Sequence, residues 1–190
     1  RKDAHHLAVI GAGAQGRSHL AAMMEVRDIQ KVTVYDQRRE AAKKYQKEME
    51  EKYKIPVMVC DSVEEAVKGA EIICTVTPSK EPYLKAEWIT PGAHINAVGA
   101  FTPNTREIES SLMAKAKLYA DQMEAMKKEC GEYLIPKNEG LFGEEHITGS
   151  IGGILAGQVP GRENDTEITL FDALGLAVED VACGRFLCRE

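Results

Sequence analysis

Apolar positions along this chain recur at two alternating spacings. Leu7-Ala8-Val9-Ile10 is an unbroken apolar run that stops on glycine, the pattern of a strand buried on both faces of a parallel sheet. From Gly16 to Arg27 the apolar residues Leu20, Met23 and Met24 fall at helical spacing, and the segment from Lys31 to Tyr35, rich in β-branched residues, predicts a second strand. The alternation continues with a helix over Glu40 to Lys52, a strand at Val57 to Cys60, a short helix opening after Asp61-Ser62 and an apolar strand at Glu71 to Thr77. Further strands are predicted at His94 to Val98 and Leu118 to Ala120. Strands that alternate with helices imply a mostly parallel sheet, because parallel neighbours need a crossover and the crossover is usually a helix. The expected class is therefore α/β, doubly wound, with helices on both faces.

Beyond Gln122 the pattern weakens. Met123 to Cys130 reads as helix, and then Gly140, Gly143, Gly149, Gly152, Gly153, Gly157 and Gly161 punctuate a stretch that reads as loop. A strand at Ile168 to Phe171 and a helix over Leu174 to Phe186 close the pattern. No repeat or inter-domain linker interrupts it, so residues 1 to 190 are expected to form one domain.

Composition narrows the classes of function. With 44% hydrophobic and 28% charged residues the chain has ordinary globular usage, which argues against disorder. A formal net charge of -6 leaves no polybasic face for nucleic acid or an anionic membrane. No apolar run reaches the roughly 18 to 20 residues of a membrane span, and no signal region opens the chain, so a cytoplasmic address is expected. Five cysteines, Cys60, Cys74, Cys130, Cys183 and Cys188, are widely spaced and form no CxxC pair; they read as reduced packing thiols. His5 and His6 read as a solvated lead-in, and His19 and His94 have no partner at ligand spacing, so no metal is expected.

The chemistry is concentrated after the first strand. Gly11-Ala12-Gly13-Ala14-Gln15-Gly16 fits G-x-G-x-x-G, placed between a predicted strand and a predicted helix. Gly11 permits the tight turn, Gly13 lets the backbone approach a pyrophosphate, and Gly16 lets the helix pack close to the strand. Asp36 ends the second strand about 20 residues past Gly16, where a carboxylate accepts from the ribose hydroxyls of a dinucleotide. Together these features predict a Rossmann-type dinucleotide-binding domain. Asp36 favours NAD over NADP, because it would repel a 2′-phosphate, while Arg38 and Arg39 keep NADP as the alternative. Methyltransferases also pair a glycine-rich turn with a ribose-binding acid; the third glycine favours the dinucleotide.

From Leu7 onward the chain resembles the ornithine cyclodeaminase and mu-crystallin family. The resemblance is carried by Val9 to Gln15, Ile73 to Thr77, Pro91 to Gly99, Asp165 to Phe171 and Gly175 to Asp180, in that order. It implies that Ala14 and Gln15 sit over the pyrophosphate and that Thr77 lies beside the cofactor. It also implies that Ala97, Val98 and Gly99 line the nicotinamide end, with Thr166 a further cofactor contact. In the family's cyclodeaminases the residue two beyond the glycine of Asn-Ala-Val-Gly is a catalytic aspartate, whereas this chain has Phe101, which can do no acid–base work. The resemblance further implies an upstream substrate-binding and dimer-forming region, with the catalytic lysine and substrate arginine. This chain is expected to begin after it, so no catalytic residue is assigned. The implied activity is that of an NAD-dependent amino-acid dehydrogenase or cyclic ketimine reductase, acting on a small amino acid or imine and dimeric at full length. A true ornithine cyclodeaminase and a non-catalytic nucleotide- or ligand-binding protein like mu-crystallin are the alternatives.

Overall fold

The apolar run at the start of the chain forms the middle of the sheet. In the computed structural model, which describes residues 1–188, strand β1 (His6–Ile10) pairs in parallel with β2 (Lys31–Tyr35) on one side and β4 (Ile72–Thr75) on the other. The remaining strands are β3 (Val57–Val59), β5 (His94–Ala97), β6 (Lys117–Ala120), β7 (Ile147–Ser150) and β8 (Thr169–Asp172). They complete one eight-stranded sheet in the order β3-β2-β1-β4-β5-β8-β6-β7, with every pairing parallel.

Alternate residues of β1 serve opposite faces, as the two-residue repeat of a strand requires. Leu7 and Val9 pack with Leu20 of α1 (Ala14–Val26) and with Tyr45 and Met49 of α2 (Arg39–Tyr53). Ala8 and Ile10 pack the other way, with Ala66 and Val67 of α3 (Val63–Val67) and Leu112 and Met113 of α4 (Ser110–Lys115). The same layer takes Met126 of α5 (Met123–Glu129) and Tyr133 of α6 (Gly131–Asn138). A central strand with no polar face is stable only between two such layers, each large side chain contributing about 1.5–3 kcal/mol. The sheet is thus doubly wound, as its sequence pattern predicts.

The chain leaves β1 toward β2 and β3, then returns to place β4 on the far side of β1. At this reversal the connections diverge over opposite faces, which opens a crevice at the C-terminal ends of β1 and β4.

Several elements depart from the sequence reading. The glycine-punctuated stretch contains an edge strand, β7, followed by the short helix α7 (Ile151–Leu155). Gly149 looks like a loop residue by pattern, yet a Cβ there would lie 2.7 Å from the Val159 side chain, so glycine is what allows the loop to cross the strand. Helices α4 and α6 are also absent from the sequence reading, and β4 stops at Thr75, which leaves Val76 and Thr77 in the crevice loop. His6 is the first residue of β1, its ring bonded to Gly69 O and Thr33 Oγ1, and not a solvated lead-in. Of the five free thiols, Cys60, Cys74 and Cys130 are buried, but Cys183 and Cys188, in and after α8 (Ala177–Leu187), are exposed.

Asp172 is one of several acids buried in this fold. Asp172 ends β8 with 1% exposure, and its Oδ2 lies 3.3 Å from the Cys130 thiol. Burial pushes its pKa up to about 8, and burial together with Asp172 also pushes the buried Glu132 well above the usual carboxylate range. An unfolded aspartate titrates near ~3.9. Between these values the native state holds a proton that the unfolded chain has released, so stability falls as pH rises toward about 8. Denaturant titrations at intervals between pH 5 and pH 8 should show this decline, and Asp172→Asn should make it shallower. An unchanged slope in the variant would refute the assignment.

Candidate cofactor site

The crevice is floored by the turn that follows β1. Gly11 has φ +111°, and a Cβ there would stand 2.6 Å from Val76 O, so the turn passes against the end of β4 only because no side chain intervenes. Gly16 serves a different contact: a Cβ would lie 2.3 Å from Gly11 O, and its absence lets α1 rest on the turn. Gly13 differs from both, since a Cβ there would meet nothing within 4 Å. Its freedom leaves open space in front of the α1 N-terminus. That end has no side-chain cap and no acid in its first turn, so its N–H groups and partial positive charge face the crevice.

Arg17 braces the turn from behind. Its Nη1 donates to Ala12 O and Gly13 O at 2.5 and 2.9 Å, while its charge is paired with Glu48 at 2.6 Å. Tyr45 adds a bond from its hydroxyl to Gly16 O. The turn is therefore held in position before any ligand arrives.

Asp36 follows β2 at the crevice rim, its side chain 14% exposed. Oδ2 accepts from Ala12 N at 2.9 Å and Oδ1 from Arg38 N at 2.8 Å, which fixes the carboxylate against the glycine turn and leaves further lone pairs for hydroxyl donors. Arg39 is turned away into an ion pair with Asp61, whereas the largely exposed Arg38 has its Nε 3.7 Å from Oδ1. Of Arg38 and Arg39, only Arg38 stands at the carboxylate, where a 2′-phosphate would lie.

On the other side, Thr77 and Gly99 mark the loops leaving β4 and β5. Val98 N and Gly99 N both donate to Thr75 O. Both loops also meet Glu107, which is fully buried: Oε1 accepts from Thr77 N, Thr77 Oγ1 and the Tyr83 hydroxyl, and Oε2 from Gly99 N. Burial and the neighbouring Glu107 hold the Tyr83 phenol well above its ordinary pKa, so it stays a donor. Neither residue stands out in sequence. Glu107 lies among charged neighbours in Arg106-Glu107-Ile108-Glu109, and only the fold turns it inward.

Between these walls lies a cleft of about 510 Å³, lined among others by Gly11, Gly13, Asp36, Thr77 and Tyr83. The structure thus gathers Gly11, Gly13, Ala14, Gln15, Gly16, Asp36, Thr77, Val98 and Gly99 at one edge of the sheet. Ala97 reaches that edge at the end of β5, but its side chain is buried, so it offers only backbone. Thr166 is not brought there: it precedes β8 at the opposite, N-terminal edge of the sheet, where its carbonyl accepts from Gly92 N. Phe101, just past Gly99, is 64% exposed. Among the described residues no group of His, Cys, Asp and Glu gathers to hold a metal, and no helix is long and apolar enough to cross a membrane.

A tight glycine turn, an uncapped helix and an acid at the end of β2, all at the point where strand order reverses, define a Rossmann-type nucleotide-binding fold. The chain belongs to the ornithine cyclodeaminase/mu-crystallin family, whose sequence model matches residues 1–189. It is 39% identical over 181 residues to the ketimine reductase mu-crystallin of Mus musculus, covering 95% of this chain and 54% of that protein. Among solved structures it superposes with TM-score 0.95 on Thermococcus litoralis Delta(1)-pyrroline-2-carboxylate reductase in complex with NADH and L-proline, at 41% identity, covering 97% of this chain and 57% of that one. An archaeal alanine dehydrogenase dimer with bound NAD superposes with TM-score 0.92 at 39% identity, covering 97% and 57%. The chain therefore spans little more than half the length of the relatives it matches.

The glycines can be separated by experiment. Gly16→Ala places a methyl against the Gly11 carbonyl and should cost about 1–3 kcal/mol of stability, whereas Gly13→Ala should melt within about 0.5 kcal/mol of wild type. Thermal or urea unfolding of both variants checks this, and equal losses would contradict the close-packing argument.

Proposed function

We propose that this chain is the NAD(H)-binding part of an oxidoreductase that interconverts a small amino acid and its imine. The observation that carries the proposal is the open space at Gly13, bounded by the uncapped α1 N-terminus and by Asp36. It suits a pyrophosphate flanked by a ribose. The two NAD(H)-bound structures it resembles, a pyrroline-carboxylate reductase and an alanine dehydrogenase, supply the reaction class.

In this reading Gly13, Ala14 and Gln15 would hold the pyrophosphate, whose charge the uncapped helix N–H groups would meet. Asp36 accepts from the adenosine ribose. Thr77, Val98 and Gly99, at the ends of β4 and β5, would hold the nicotinamide end. When bound, the cofactor supplies or takes the hydride; the residues of this chain bind and orient it and keep its reactive end at the strand termini. Substrate binding is assigned to a further region, consistent with the greater length of the relatives, and the assembled protein is read as a homodimer in the cytoplasm. Phe101 offers an apolar wall and no proton, which favours hydride chemistry on an imine or amino acid over ornithine cyclisation.

Thermal shift of this chain with NAD, NADH, NADP and NADPH tests the cofactor. NAD and NADH should raise the melting temperature more than their phosphorylated counterparts. Asp36→Ala should weaken NADH binding about tenfold and narrow the preference over NADPH; an unchanged preference would remove Asp36 from the proposal. For the substrate, the full-length gene product should oxidise NADH with cyclic ketimines or with pyruvate plus ammonia. Rapid conversion of ornithine to proline would instead favour the cyclodeaminase reading.

A further inference from the structure

The order of the site along the sheet fixes where the second half of a dinucleotide must go. Asp36 takes the adenosine end at β2 and the glycine turn takes the pyrophosphate at β1, so the nicotinamide half lies over the ends of β4 and β5. There the walls are two loops, carrying Thr77 and Gly99, which belong to different strands and have little secondary structure of their own to hold them. A single buried side chain joins them.

Glu107 meets Thr77 N at 2.8 Å, Thr77 Oγ1 at 2.6 Å and the Tyr83 hydroxyl at 2.5 Å through Oε1, and Gly99 N at 3.0 Å through Oε2. The backbone N–H groups of Thr77 and Gly99 need acceptors, the Tyr83 hydroxyl donates to the same side chain, and a carboxyl group offers an oxygen at each end to receive them. Its own backbone is equally constrained. Glu107 N donates to the buried Glu132 at 2.5 Å, and Glu107 O accepts from Tyr83 N and Leu84 N at 2.8 and 2.9 Å. Gly99 shows how tight the junction is: a Cβ there would lie 2.2 Å from Thr77 O and 2.5 Å from Glu107 Oε2. The four side-chain bonds of this fully buried acid thus end on Thr77, Tyr83 and Gly99, at the walls of the nicotinamide half, while its backbone bonds to Tyr83, Leu84 and Glu132 fix the acid itself.

We propose that Glu107 is a positioning residue for the nicotinamide half of the site, setting the separation of the Thr77 and Gly99 loops without touching the ligand. This rests on the dinucleotide reading above. The carboxylate orients the loops that the nicotinamide ring would contact, while Asp36 and Arg17, which anchor the adenosine and pyrophosphate side, make no bond to it.

The test compares NADH with ADP-ribose, which lacks only the nicotinamide ring, each titrated calorimetrically against wild type, Glu107→Gln and Tyr83→Phe. The glutamine keeps the shape but turns a donor toward one of the loops. Glu107→Gln should weaken NADH about tenfold or more and leave ADP-ribose within about twofold of wild type. Tyr83→Phe, which removes one donor from the junction, should shift the same ratio in the same direction by about threefold, and it carries the comparison if the glutamine variant does not fold. Equal weakening of both ligands in the folded variants would mean a merely structural acid and overturns the proposal, as does the absence of any change. Wild type that binds neither ligand overturns the dinucleotide reading itself, an outcome separate from any effect at Glu107.

Discussion

The contact on which the rest depends is the close approach of backbone to backbone at the end of β1. Gly11 lies against Val76 O, and Gly16 against Gly11 O, at distances that no Cβ could occupy. Because the turn is this tight, α1 begins immediately above the switch point between β1 and β4, with its unpaired N–H groups over the crevice. The sheet supplies the crevice through its strand order, but the missing side chains at Gly11 and Gly16 bring a positive helix end to it. Gly13, with free space in place of a neighbour, is the complement: there the absent side chain makes room for a ligand.

Carboxylates hold the two sides of the crevice in a similar way. Asp36 ties the end of β2 to the glycine turn through Ala12 N, and Glu107 ties the β4 loop to the β5 loop through Thr77 N and Gly99 N. In each case a side-chain bond to backbone N–H replaces regular secondary structure where the chain leaves the sheet. Asp36 stays at the rim with lone pairs for a ligand. Glu107 is fully buried and spends its capacity on protein donors. The two acids thus share a mode of anchoring and differ in what is left over for chemistry.

The first half of the fold was legible because its signals are local. The β1 run, the glycine spacing, the helical periodicity of α1 and Asp36 all lie within one βαβ unit, and each follows from backbone sterics or strand and helix period. The second half was less legible for a physical reason. β7 contains Gly149 and is only four residues long, and it is a strand because it pairs with β6 while Val159 packs over the glycine. No window of sequence contains that pairing. β8, read correctly as a strand, inserts between β5 and β6, an order that periodicity cannot encode. The same limit applies to the site. Thr77, Val98 and Gly99 stand at the C-terminal ends of β4 and β5, whereas Thr166 lies at the other edge of the sheet because it precedes its strand.

By itself the sequence determined the fold class, the glycine turn and the acid at the end of β2, since these depend on which residues can adopt a tight turn, start a helix or end a buried strand. Tertiary structure alone decided that Glu107 faces inward beneath Thr77 and Gly99, that Glu132 and Asp172 are buried acids with raised pKa values, and that Arg39 turns from Asp36 toward Asp61. A charged side chain's role depends on the dielectric and the donors around it, and segments distant in the chain supply both.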